Sequence, residues 1–131
     1  MKKFSYSIFS CVDFFQDTYD TDILSIESAA QGLDIMKKEF IFYKRTYEDQ
    51  SQSPMWKYML EYFVDRYTQM AEEKFNTNSL DAQIQYSIRL YCYGCVGMTQ
   101  EWLLKDTMTP SKTIAEMMFQ SMPQNLKTIY F

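Results

Sequence analysis

The chain's 131 residues suit one domain with a real core, and they include 18% aromatic and 47% hydrophobic residues against three Gly and three Pro. That balance excludes disorder and favours long helices with short loops over an all-β fold. A net charge of −4 and a pI near 4.8 argue against nucleic-acid contact, which needs a basic patch, and the absence of His removes the usual general base of enzymes.

Residues 3–18 carry Phe4, Ile8, Cys11, Val12 and Phe15 at intervals of three and four, the spacing of an amphipathic helix. Met1-Lys2-Lys3 followed by FSYSIFSC has the outline of a signal peptide. Its apolar run is broken by Ser5, Ser7 and Ser10, and no small-residue cleavage site follows, so a cytoplasmic protein is expected. No stretch approaches about 18 uninterrupted apolar residues, so no membrane-spanning helix is expected. Turn-favouring residues at 18–22 end this first element.

A second helix is predicted over about 24–47, with the stripe Ile26, Ala29 or Ala30, Leu33, Met36, Phe40, Tyr43 and Tyr47 and a candidate bend at Gly32. Ser53-Pro54 is a helix start, because Ser can cap and Pro lacks the N–H that the first turn leaves unpaired. The third helix then covers about 54–75, with Met55, Met59, Tyr62, Phe63, Tyr67 and Met70 inward. Glu61 and Asp65 lie four apart on it and read as a solvated face. Asn76 to Ser79 end it and offer caps for the next helix.

The fourth helix, about 80–105, organises the chain. From 84 to 100 its one charged residue is Arg89. One apolar line runs through Ile84, Ile88, Tyr91, Cys95, Met98 and Trp102, and another through Tyr86, Leu90, Tyr93, Val96 and Leu103. A helix apolar on most of its circumference must be covered on one side by its own core and on another by something else. Gly94 and Gly97 each cost a helix about 1 kcal/mol relative to Ala, which points to close approach of another backbone. Arg89 calls for a carboxylate on the helix at 54–75, or serves as an anchor for an anionic ligand. Cys92 and Cys95 sit mid-helix in an apolar run and read, with Cys11, as buried thiols. No cofactor and no metal are expected, since the cysteines form no zinc pattern.

Thr109-Pro110 repeats the cap-plus-Pro start and opens a fifth helix to about Met122, with Ile114, Met117, Met118, Ser121 and Met122 on its apolar face. Pro123 stops it, and residues 124–131 are expected to be a tail. After Ser79 the only charged residues are Asp81, Arg89, Glu101, Lys105, Asp106, Lys112, Glu116 and Lys127. Charge depletion with aromatic and Met enrichment is the composition of an interface core. Five helices of one chain cannot cover two full sides of 84–104, so a homodimer is expected. Its interface comprises Gly94, Gly97, Met98, Glu101, Trp102, Ile114, Met117, Met118 and Met122.

Tyr93-Gly94 to Trp102-Leu103, followed by a short turn and TPSKTIAEMM, together with FIFY at 40–43, resembles the C-terminal domain of TetR-type transcriptional regulators in its Firmicutes-like branch. The resemblance covers about 25–126, with 1–24 a leading helix and turn and 127–131 a tail of the same single domain. It implies an all-α ligand-binding and dimerisation domain whose last two helices form a four-helix bundle with those of a second subunit. It also implies an apolar pocket among the preceding helices, for a small apolar or amphipathic effector or, in its place, a protein co-regulator. The candidates there are Phe40, Tyr43, Tyr47, Met59, Tyr62, Phe63, Tyr67, Arg89 and Tyr93, around a cavity expected to measure a few hundred Å³. Residues 1–24 do not resemble the helix-turn-helix domain with which such regulators read DNA, so DNA contact is assigned to another segment. The chain is then a fragment of a longer regulator or a protein without that half. A regulator and not an enzyme is expected; the alternative is a helical adaptor without a small-molecule pocket.

Overall fold

A computed structural model describes residues 24–43, 54–105 and 108–131, with side chains described at 24–38, 56–105 and 108–131. The helix expected at 3–18, and with it Cys11, lies outside the described residues, as does Tyr47. The described residues form five helices and no strand: α1 (Ile26–Tyr43), α2 (Pro54–Phe75), α3 (Ala82–Lys105), α4 (Ser111–Gln120) and α5 (Gln124–Tyr130). The all-α expectation holds. α1 packs chiefly on α4 and α2 chiefly on α3, while α5 rests against both α2 and α3.

The helix ends follow from local chemistry. Ser25 caps α1, its Oγ accepting from the Ser28 N–H at 3.2 Å, and Glu27 adds negative charge to the first turn. α1 runs as one continuous helix through Gly32. α2 ends where Asn76 takes a left-handed φ of 52°. The Thr77 N–H then donates to the Glu72 carbonyl and the Asn76 N–H to the Glu73 carbonyl, the double bond of a Schellman end. Asp81, rather than a residue of 76–79, caps α3 through its Oδ1 and the Gln83 N–H. α4 begins one step later than expected. Pro110 occupies the N-cap position without a side-chain cap bond, and the Thr109 carbonyl accepts instead from Trp102 Nε1 at 2.9 Å.

The core runs through Leu33 and Met36, Trp56, Met59, Leu60, Val64, Tyr67 and Ala71, then Ile88, Cys92, Val96, Trp102 and Leu103, and Ala115, Met122, Leu126 and Ile129. On α2 the inward face is Trp56, Met59, Leu60, Val64, Tyr67 and Ala71. Met59 and Tyr67 of the expected face are in it, while Tyr62, Phe63 and Met70 are half-buried at its edge. On α3 the inward line is Ile88, Cys92, Val96, Thr99, Trp102 and Leu103, and Met98 lies outside it, 58% exposed.

Residues 124–130 are not a tail. Pro123 precedes α5 with φ −59°, and its carbonyl accepts from the N–H groups of Leu126 and Lys127 at 3.0 Å. Leu126 is 1% exposed and Ile129 is buried. Tyr130 Oη donates to the Tyr67 carbonyl at 2.7 Å, and Asn125 Nδ2 donates to Ser87 Oγ at 2.9 Å. The same proline that terminates α4 presets the first turn of α5, and the Leu-x-x-Ile-Tyr spacing supplies one buried face.

Candidate functional site: a cavity and a groove sharing a wall

α1, α2 and the middle of α3 line a partly open apolar cavity of about 80 Å³. Ala29, Gly32, Leu33 and Met36 line it from α1, Met59, Phe63 and Tyr67 from α2, and Tyr91, Cys92, Cys95, Val96 and Thr99 from α3, with Met118 closing one side. Ala29, Gly32, Cys92, Cys95 and Thr99 are small residues at helical spacing, and they leave the space. The expected place is between residues 36–67 and the first half of the fourth helix; the cavity instead lies nearer the start of α1 and the middle of α3, and it is much smaller than the few hundred Å³ expected, because Met36, Met59, Phe63, Tyr67 and Met118 line it with long side chains.

Of the residues expected there, Met59, Phe63 and Tyr67 line the cavity and Tyr62, Arg89 and Tyr93 do not. Phe40 and Tyr43 belong to the C-terminal part of α1, whose side chains are not described. Tyr62 instead stacks on Tyr58 with centroids 6.2 Å apart and meets the edge of Phe63. Arg89 found its carboxylate on α2, with Nη2 2.7 Å from Glu61 Oε1, both side chains about half exposed. Its guanidinium lies 5.7 Å from the Tyr93 ring, and Tyr93 itself points outward, 54% exposed. Sequence reasoning did not place Tyr91, Cys92, Cys95, Val96, Thr99 or Met118 at the cavity. The signal was the run of small residues at three- and four-residue spacing facing Gly32 and Ala29.

No charge enters this space. Tyr91 Oη donates to the Met118 carbonyl at 2.8 Å, and Thr99 Oγ1 to the Cys95 carbonyl at 2.8 Å. Burial pushes the Cys95 thiol up to about 11 and Cys92 higher still, and it raises Tyr91 and Tyr130 as well. Both thiols are therefore protonated and poorly nucleophilic at neutral pH. Among the described residues no three His, Cys, Asp or Glu side chains converge on a metal position.

These raised values carry a stability prediction. Below about pH 8.5 both folded and unfolded thiols hold their protons. Above it the unfolded chain releases protons that the folded chain keeps, so stability falls with rising pH up to the folded values. The urea midpoint is expected to drop between pH 7.5 and 10, and Cys92→Ala combined with Cys95→Ala should reduce that slope. An equal slope in the double variant would assign it to other groups.

Beyond the wall formed by Tyr91, Cys95 and Met118 lies an open groove of about 630 Å³ between α3 and α4. Leu90, Gly94, Met98, Glu101 and Lys105 form one bank, Ile114, Met117 and Ser121 the other, and Tyr91, Cys95, Trp102 and Met118 lie beneath. α3 is apolar on two sides. Its outward side shows Tyr86 at 70%, Leu90 at 59% and Leu104 at 49% exposure, and no atom lies within 4 Å of where a Cβ would stand on Gly94 or Gly97. Of the expected interface residues, Gly94, Gly97, Met98, Glu101 and Met117 are exposed, and Ile114 and Met118 are half-buried. Trp102 and Met122, each 3% exposed, belong to the chain's own core, Trp102 drawn in by its bond to Thr109.

The described residues thus define an all-α helical domain with an uncharged, partly open cavity and an uncovered apolar face, in a chain without His. Residues 26–124 match the profile of the TetR-type transcriptional regulator C-terminal region, and the chain belongs to that family. Searches of curated proteins and of solved structures found no match. No described helix is long and apolar enough to cross a membrane.

Proposed function

We propose that residues 1–131 act as the effector-binding and dimerisation domain of a TetR-type regulator in the cytoplasm. Two copies associate through the outward faces of α3 and α4, and a small apolar effector in the cavity biases their arrangement. That arrangement controls DNA binding by a helix-turn-helix domain, while the domain described here makes no DNA contact of its own. The observation that carries this reading is the outward side of α3, where Tyr86, Leu90, Tyr93, Met98 and Leu104 stand about half or more exposed beside two open glycines. Exposed apolar patches of this kind mark interaction sites, and a two-fold contact would set each patch against its own copy. No enzymatic step is assigned to the chain.

The small cavity favours a second reading, a helical adaptor or co-regulator partner, because ligand pockets usually measure about 300–1,000 Å³. Sedimentation equilibrium at micromolar concentration tests the first reading, with a dimer expected. A clean monomer would overturn it. A dimer that shows no thermal shift with any member of a broad apolar library would move the assignment to the adaptor.

A further inference from the structure

We propose that Tyr91 and Met118 form a latch across a seam in this domain, and that filling the cavity with a compact, uncharged, apolar molecule opens the seam and reshapes the α3–α4 face. The proposal rests on the effector-binding reading and names its ligand class and its means of regulation.

The seam follows from the helix pairing. α1 carries α4, and α2 carries α3, whereas α3 and α4 are not closely packed on each other. The cavity lies between these two pairs, with Ala29, Gly32 and Met36 on one side and Met59, Phe63 and Cys92 on the other. The groove is the outer mouth of the same seam. Tyr91, Cys95 and Met118 line both the cavity and the groove, so three side chains separate them. Across this wall Tyr91 Oη, from α3, donates to the Met118 carbonyl of α4 at 2.8 Å. Tyr91 also meets the Tyr67 ring edge-on at 6.1 Å, which ties the latch to α2.

A space of about 80 Å³ admits only a few non-hydrogen atoms without moving its walls. Close-packed interiors pass such displacement on to their neighbours. A larger occupant pushes α1, with α4 upon it, away from α3, and the ties that must stretch or break are the Tyr91–Met118 bond, the Lys37–Trp102 cation–π contact at 5.7 Å and the direct α1–α3 packing. The ligand shifts the α3–α4 spacing only by its difference in affinity for the two spacings, and that spacing changes its affinity in return. The lining excludes charge, since its hydroxyls are engaged and its thiols stay neutral.

The test uses the full chain with 13C-methyl-labelled Met and benzene, whose six-carbon ring exceeds the space, as the probe. Met36, Met59 and Met118 report on the cavity, Met98 and Met117 on the groove. Benzene is expected to shift both sets in the wild type. In Tyr91→Phe, which keeps the ring and loses the hydrogen bond, the cavity set should still respond, while the groove set should already stand displaced without benzene and lose its further response. Unchanged groove shifts in Tyr91→Phe, or none in the wild type, overturn the latch; silence at all three cavity methionines overturns the site. Ala29→Leu gives a second measurement by filling the cavity from within. It should change the dimer dissociation constant at least about fivefold, within the usual range of allosteric coupling, and by less than about twofold in the Tyr91→Phe background. Equal changes in both backgrounds overturn the proposal. A monomeric wild type would instead remove the dimer reading, while the methyl shifts still decide the latch.

Discussion

Leu126→Ala is expected to destabilise the folded chain by about 2–5 kcal/mol, the range for emptying a well-packed leucine site. Leu126 is 1% exposed in the first turn of α5, a helix of only seven residues. A helix this short has little stability of its own, because nucleation costs more than so few hydrogen bonds return. α5 is therefore held by what it buries: Leu126 and Ile129 in the core, with Tyr130 packed against the Tyr67 ring at 5.0 Å and bonded to its carbonyl. Full burial of a leucine contributes roughly 1.5–3 kcal/mol by transfer alone, and the void left by Ala adds to the loss. A urea titration followed by circular dichroism should show a lower midpoint at an unchanged slope. A loss under about 0.5 kcal/mol, the usual figure for exposed positions, would mean that α5 does not dock.

The same segment shows where sequence reasoning stopped. Periodicity located four of the described helices to within a few residues, because α1 to α4 repeat apolar residues over several turns and carry caps or prolines at their starts. α5 offers fewer than two turns, too few for periodicity, and a proline before so short a stretch reads first as a terminator. The two-sided character of α3 was legible, since no single core can cover its circumference. The phase within it was less so. Tyr86, Leu90 and Tyr93 bear enough apolar surface to be buried, as Ile88 and Cys92 are, and only packing against α2 decides which line turns inward. Arg89 was legible as an ion-pair partner from its isolation, but the distance to Glu61 came from the α2–α3 register. The cavity was the least legible feature. A cavity is a deficit of volume between facing helices, and Gly32, Ala29, Cys92, Cys95 and Thr99 become a deficit only once those helices are set side by side.

Leu90→Glu is expected to turn the proposed dimer into a folded monomer. Leu90 is near the middle of the outward side of α3, between Tyr86 and Gly94, and it lines the groove. It is 59% exposed in the single chain, so a carboxylate there stays hydrated and the melting temperature of the monomer should change little. At a two-fold interface the same carboxylate would be buried and set near its own copy, while the groove's cation, Lys105, stands about 22 Å further along α3. An uncompensated buried charge costs about 3–5 kcal/mol, which is roughly two to three and a half orders of magnitude in dissociation constant. Met118→Glu is a poorer probe, because Met118 also packs on the core and lines the cavity, so loss of folding and loss of pairing would coincide. A pairing surface of the usual size buries about 1,200–2,000 Å² in total, half of which each copy would have to supply from the outward sides of α3 and α4. Sedimentation of wild type and Leu90→Glu at equal micromolar concentration reads the outcome directly. A wild-type dimer that persists unchanged in Leu90→Glu would place the pairing surface on another face of the domain.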